Sequence, residues 1–263
     1  MAITAADVSA LRKSTGAGMM DAKKALEEAN GDMEAAAKIL REKGMAGAAK
    51  RADRDNSQGA VSLVILNDTL GAIVELKCET DFVAKSAEFV ALLEKMTTSV
   101  AESGEGAVAE YETELGLLAA TLKEKIEVGR ISRFDAPAGS VVDGYLHIQS
   151  DRGVNAVLVE VAGGSRALAH DIAMHIGFAR PRFVTREEVP ADEVASERAT
   201  LETISRNEGK PEAQIEKIVD GRMRGFYENI CLLDQHFVRD EKQTIAQLLG
   251  SATVTRFSQI VIG

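Results

Sequence analysis

Ile73-Val74-Glu75-Leu76 and Leu158-Val159-Glu160-Val161 are one short apolar text written twice, 85 positions apart, each with a single acid at its third place. Turn residues precede both, Asn67-Asp68 in the first and Asp151-Arg152-Gly153 in the second, and Gly59 maps to Gly144 at the same offset. Apolar runs of this length between turn signals read as paired strands, so each copy is predicted to open with a β-hairpin. Helical spacing follows in both: Phe89, Val90, Leu93 and Met96 in one copy, Ile172, Ala173, His175 and Ile176 in the other. Each copy then closes on a strand, Arg130-Ile131-Ser132-Arg133 and Arg256-Phe257-Ser258-Gln259.

Those closing strands are 126 apart, so the second copy holds 41 residues that the first lacks. The extra residues fall near 187–227. There Val194, Leu201 and Ile204 make an apolar stripe, Gly209-Lys210-Pro211 turns the chain, and Ile215, Ile218, Met223 and Phe226 answer. This predicts an antiparallel coiled-coil hairpin whose charged faces are solvated and which projects from the second copy. Self-association through it, contact with a partner, and folding back as ordinary core all remain open at this level.

Upstream of the repeat the charge changes sign. Residues 1–54 hold ten basic and eight acidic residues, although the whole chain of 263 residues carries a net charge of −10. Thr4-Ala5-Ala6-Asp7 is a capping box, Thr15-Gly16 closes a first helix that carries Val8 and Leu11, a second runs from Met19 to Ala29 and stops at Asn30-Gly31, and Asp32 caps a third. Polar text from Lys50 to Gly59 follows as a linker. The expected organisation is therefore α+β: a helical domain over 1–54, a core half over 55–140, and a second half over 141–263 carrying the hairpin.

Composition excludes several function classes. An acidic chain lacks the footprint of nonspecific nucleic-acid binding, so no direct nucleic-acid partner is expected. No apolar run approaches the roughly 18 residues of a membrane span, and MAITAADVSALRK has no secretory-signal pattern, which predicts a cytoplasmic protein without a membrane partner. Two cysteines, Cys78 and Cys231, make no disulfide framework or metal knuckle. His170 and His175 are five apart and share no helix face, and a phosphate loop is missing. No enzyme chemistry, metal or cofactor is nominated.

Between the second strand and the helix the copies diverge most: Cys78-Glu79-Thr80-Asp81-Phe82-Val83-Ala84-Lys85 against Gly163-Gly164-Ser165-Arg166-Ala167-Leu168-Ala169-His170. The first places a carboxylate beside an aromatic ring ahead of an expected helix cap at Ser86, where neither is required by the pattern. From spacing alone the simpler reading folds Phe82 inward as a staple and has Asp81 cap a helix.

LRKSTGAGMMDAKKAL, from Leu11 to Leu26, and ELKCETDFVAK, from Glu75 to Lys85, resemble the two signatures of the bacterial elongation factor Ts family. Asp171-Ile172-Ala173-Met174-His175 and Gly221-Arg222-Met223 extend the resemblance over nearly the whole chain. The resemblance implies a small helical domain similar to ubiquitin-associated domains, a duplicated core and an inserted coiled coil. It also implies a guanine-nucleotide exchange factor that binds elongation factor Tu and speeds GDP release, with no catalytic chemistry of its own; an interaction or chaperone-like module is the alternative.

Carried over residue by residue, Asp81 and Phe82 would enter the GTPase near its magnesium and phosphate site, with Thr80 and Val83 shaping their loop. Leu11, Met19, Met20 and Lys23 would meet its nucleotide-binding domain, and His175 with Phe237-Val238 a different domain. From spacing alone, Met19-Met20 read as bundle core, Lys23 as a solvated face, His175 as structural and Phe237-Val238 as plain strand. Arg239 stands where other members often place an apolar residue. Some members continue past the last core strand into a further helical module that touches the GTPase; the sequence here runs to Ile260-Val261-Ile262-Gly263, which leaves that contact open.

Overall fold

The computed structural model describes residues 3–51 and 53–263, leaving out the side chains of 45–50. Three helices open the chain: α1 (Ala5–Thr15), α2 (Met19–Glu28) and α3 (Met33–Lys50). Thr4 and Asp7 form the expected capping box, Gly16 ends α1 in the left-handed region at φ 68°, and Asn30 and Gly31 also turn with positive φ. Asp32 Oδ1 accepts from the amides of Glu34 and Ala35 at 2.9 and 3.0 Å, capping α3. The bundle core is small: Val8, Leu11 and Leu26 with Ala22, Ala25 and Ala36. At about 1.5–3 kcal/mol for each large side chain, such a core is marginal alone.

Of the polar stretch expected as a linker, Ala52 lies outside the described residues; α3 runs to Lys50 and the next element starts at Gln58. The first copy is β1 (Gln58–Leu66), β2 (Leu70–Cys78), a single turn α4 (Asp81–Ala84), α5 (Ala87–Ser103), α6 (Glu112–Leu122) and β3 (Glu127–Asp135). The second is β4 (Ser140–Gln149), β5 (Arg152–Ala162), α7 (Arg166–Ala179), α8 (Ala191–Asn207), α9 (Glu212–Ile230), β6 (His236–Phe237), β7 (Asp240–Thr244), α10 (Ile245–Leu249) and β8 (Thr253–Val261). The fold is α+β with antiparallel three-stranded sheets ordered β1-β2-β3 and β4-β5-β8, so the hairpin and returning strand occupy matching places. The second hairpin turns at Ser150-Asp151, both at positive φ, one residue earlier than the sequence suggested.

The duplication persists in side-chain chemistry. Arg130 donates to Glu75 through Nε at 2.8 Å and Nη2 at 2.9 Å, and Arg256 bonds Glu160 through Nε at 2.9 Å. Both acids are buried and both sit at a β-bulge. Burial opposes ionisation of Glu75, yet the hydrogen bonds and charge of Arg130 outweigh it and hold the carboxyl below the usual range. Ser132 and Ser258, the equivalent serines of the closing strands, share a hydrogen bond of 2.7 Å across the seam between copies.

The two sheets pack face to face, with α5 outside one and α7 outside the other. Between them lies a core drawn from both copies: Val61, Ile73 and Phe134 with Val142, Ala156, Leu158 and Ile260. In the hairpin, Ile215, Val219 and Met223 are buried against Val194, Leu201, Phe226 and Tyr227. Two expected stripe positions miss this seam. Ile204 is exposed while its neighbour Ser205 is buried, its hydroxyl donating to Leu201 O at 2.7 Å, and Ile218 yields the centre to Val219. Among the described residues no helix is long and apolar enough to cross a membrane.

Candidate functional site

The divergent loop folds as the one-turn helix α4, and its geometry reverses the inward reading of Phe82. Thr80, not Asp81, is the cap: its Oγ1 accepts from the Val83 amide at 3.4 Å. Ser86 starts α5 without a side-chain cap bond, and among the described residues its buried hydroxyl has no partner. Within this turn Val83 and Ala84 face the core beneath β1 and β2, so Asp81 and Phe82 point outward. The Phe82 ring is 74% exposed. Lys85 lies one turn on, its Nζ 3.0 Å from Asp81 Oδ2 and 4.5 Å from the Phe82 ring centroid. Its hydrogen bond keeps the Asp81 carboxyl below the usual carboxylate range, so at neutral pH the turn presents an anion beside an apolar ring.

Below the turn, the Cys78 thiol donates to Thr80 O at 3.2 Å, and burial pushes its pKa up to about 12. Cys231 is likewise buried and raised to about 11. Neither is a thiolate near neutral pH, which fits structural thiols.

On the helical bundle, Met19 and Met20 stand 60% and 62% exposed, contrary to their reading as core. Lys23 is also exposed and lies 3.7 Å from Glu27. Leu11 is different: it is 1% exposed, inside the bundle core with Val8 and Leu26, beneath the helix α2 that carries both methionines. The bundle is seated on α6. Arg51 donates to Ala119 O at 3.2 Å, Lys123 lies 3.4 Å from Asp21, and Gly44 packs so closely that a Cβ there would stand 2.6 Å from Ala120 Cβ.

A third exposed region lies on the second copy. His175 is buried; its Nδ1 accepts from the Val238 amide at 3.4 Å, which assigns the proton to Nε2, 2.9 Å from Gln235 Oε1. Burial lowers its pKa, so the ring is neutral. Phe237 is buried with its ring 6.2 Å from His175, closing the β6–β7 ribbon, whereas Val238 sits in the turn between these strands and is half-exposed. Arg239 is held by Asp171 at 2.7 Å. Phe178, absent from the sequence-derived set, is 78% exposed and shares with Met174 and Val238 a groove over His175. Its helical position after Ile172, Ala173 and Ile176 lies off the buried stripe, and that is the signal that could have found it.

A family model described as elongation factor TS matches residues 79–263. The elongation factor Ts of Pseudarthrobacter chlorophenolicus is 44% identical over 281 aligned positions, which cover 99% of this chain and 98% of that protein. Its namesake from Paenarthrobacter aurescens is 45% identical, covering 97% of each chain, and that of Clavibacter michiganensis 43% identical, covering 99% and 98%. With a duplicated α+β core and likeness over nearly its full length, the chain belongs to the elongation factor Ts family of translation elongation factors.

Proposed function

We propose that this protein is a guanine-nucleotide exchange factor for elongation factor Tu, acting in the cytoplasm and performing no bond chemistry itself. The observation that carries the reading is Phe82, a largely exposed aromatic side chain fixed on a one-turn helix beside the ionised Asp81. Exposing a phenylalanine forgoes about 2 kcal/mol of burial, so a ring held out in this way has its use in a partner.

Docked against a GTPase, the ring occupies volume between packed helices, which switch between discrete arrangements and do not deform smoothly. The Asp81 carboxylate, brought near a bound divalent cation, disturbs the field that holds the nucleotide phosphates. Thr80 and Val83 fix the turn. Met19, Met20 and Lys23, supported by Leu11, engage the nucleotide-binding domain. Val238 engages a second domain, together with Phe178 and supported by His175 and Phe237.

Exchange then follows from linkage. Whatever factor this protein takes from GDP affinity, GDP takes from the affinity of this protein, and about 3 kcal/mol of coupling already amounts to about 150-fold. The test is stopped-flow release of a fluorescent GDP analogue from elongation factor Tu. Acceleration by the wild type, largely lost in Asp81→Ala/Phe82→Ala with unchanged unfolding, supports the reading. Equal acceleration by both moves the site elsewhere. No acceleration, with binding intact, favours an interaction or chaperone-like module.

A further inference from the structure

The turn that carries Asp81 and Phe82 cannot stand by itself, because one helical turn fixes about six dihedrals for a single hydrogen bond. Besides the packing of Val83 and Ala84 on the core and the Cys78 thiol on Thr80 O, it is tied by a residue 44 positions away. Glu124 follows Lys123, which ends α6 in the left-handed region at φ 61°, a costly conformation for a residue other than glycine. The bend brings the Glu124 carboxylate under the loop, where it accepts three hydrogen bonds: from the Glu79 amide at 3.0 Å, the Thr80 amide at 3.0 Å and the Thr80 hydroxyl at 2.5 Å. The tie is returned by Glu79, whose Oε1 accepts from the Lys125 amide at 2.7 Å and whose carboxylate also meets Arg54 at 3.2 Å.

The third of these bonds sets the direction of the Thr80 hydroxyl. Its proton is committed to Glu124, so a lone pair is left for the Val83 amide, and the cap of α4 is oriented as well as occupied. Charge-assisted bonds of this kind are stronger than those between neutral groups. Glu124 itself points at Thr80 and Glu79, and neither Asp81 nor Phe82 is among its partners.

We infer that Glu124 is a positioning residue for nucleotide exchange, presetting the pose of Asp81 and Phe82 by fixing the cap at Thr80. This inference rests on the exchange reading above. Removing the carboxylate leaves the other docking surfaces intact, so elongation factor Tu still binds while the wedge is misdirected. Binding strength and exchange power therefore separate.

The experiment compares wild type, Glu124→Ala, Glu124→Gln and Thr80→Val, plus the Glu124→Ala/Thr80→Val double variant, in fluorescent-GDP release titrated against concentration. Glu124→Ala is expected to lower the maximal release rate by about tenfold or more, with the half-saturating concentration within about threefold of wild type. Glu124→Gln, which keeps one acceptor oxygen, restores part of the rate. In the Thr80→Val background, Glu124→Ala adds little further loss. In the free protein, the amides of Glu79 to Ala84 exchange hydrogen faster in Glu124→Ala.

A full maximal rate in Glu124→Ala overturns the inference, as do losses that multiply independently in the double variant or unchanged amide protection across the loop. A wild type that fails to accelerate GDP release overturns the exchange reading itself. That failure is recognised by the silence of the unmodified protein.

Discussion

Replacing Gly44 by alanine tests whether the helical bundle sits on α6 as described. Gly44 lies inside α3, where alanine is favoured over glycine by about 1 kcal/mol, so on an open helix face the substitution would stabilise the protein. Here the new Cβ would lie 2.6 Å from Ala120 Cβ, against the 3.5–4.0 Å of an ordinary carbon contact, and the helices must part by roughly 1 Å. Overpacking of this size costs about 1–3 kcal/mol. The parting also strains the Arg51 bond to Ala119 O, already at 3.2 Å.

The balance is a net loss of up to about 2 kcal/mol, opposite in sign to the propensity effect. Ala120→Gly removes the obstructing methyl, and in that background Gly44→Ala should become stabilising. Urea denaturation of the four proteins of this cycle reads the coupling, expected at about 1–3 kcal/mol. If Gly44→Ala stabilises the wild type by the full propensity gain and the two changes are additive, the close seating of α3 on α6 is refuted.

Three further outcomes are expected. Arg130→Ala and Arg256→Ala should each cost about 2 kcal/mol in urea denaturation, below the usual figure for a broken buried pair because both guanidinium groups are about half-exposed, and the matching geometry predicts similar losses. His175 is buried neutral with its pKa lowered, so the unfolded chain takes up the proton first; its contribution is present above about pH 6.5 and is lost as pH falls, and the wild-type urea midpoint should drop more than that of His175→Gln between about pH 7.5 and 5. Phe178→Ala should leave thermal unfolding within about 0.5 kcal/mol of wild type while weakening elongation factor Tu binding, measured by titration calorimetry; unchanged affinity would remove the groove over His175 from the docking surface.

The duplicated strands were legible because a half-repeat of 85 residues brings turns, apolar runs and even the glutamates at the bulges into register. Helix ends were legible wherever the cap is local, as at Thr4, Gly16 and Asp32. Long-range relations were not. Phe82 reads as a staple until the core beneath it is seen to be filled by Val83 and Ala84. Leu11 sits in a family signature among exposed residues, and only packing shows that it is core. Glu124 joins the loop across 44 positions, a separation that no spacing rule reaches. In the hairpin, the seam passes through Val219 and beside Ser205, so the stripe read from Ile204 and Ile218 drifted by one residue at each place.

The shared core between the sheets bears on how the duplicated architecture could have diverged. Gly71 of β2 leaves no room even for a methyl group, since a Cβ there would come within 2.6 Å of Leu158 in the other copy, and a Cβ on Gly144 would come within 2.8 Å of Leu63. Two halves packed this closely depend on each other for burial: a fragment holding only residues 141–263 would lay Val142, Ala156, Leu158 and Ile260 open to water and should aggregate on expression. Change is thereby steered away from the seam and toward the outer ends. There the halves differ: the second carries the α8–α9 hairpin and the first a turn that holds an aromatic ring out to solvent, so the two are specialised at their outer ends and dependent on each other at their seam.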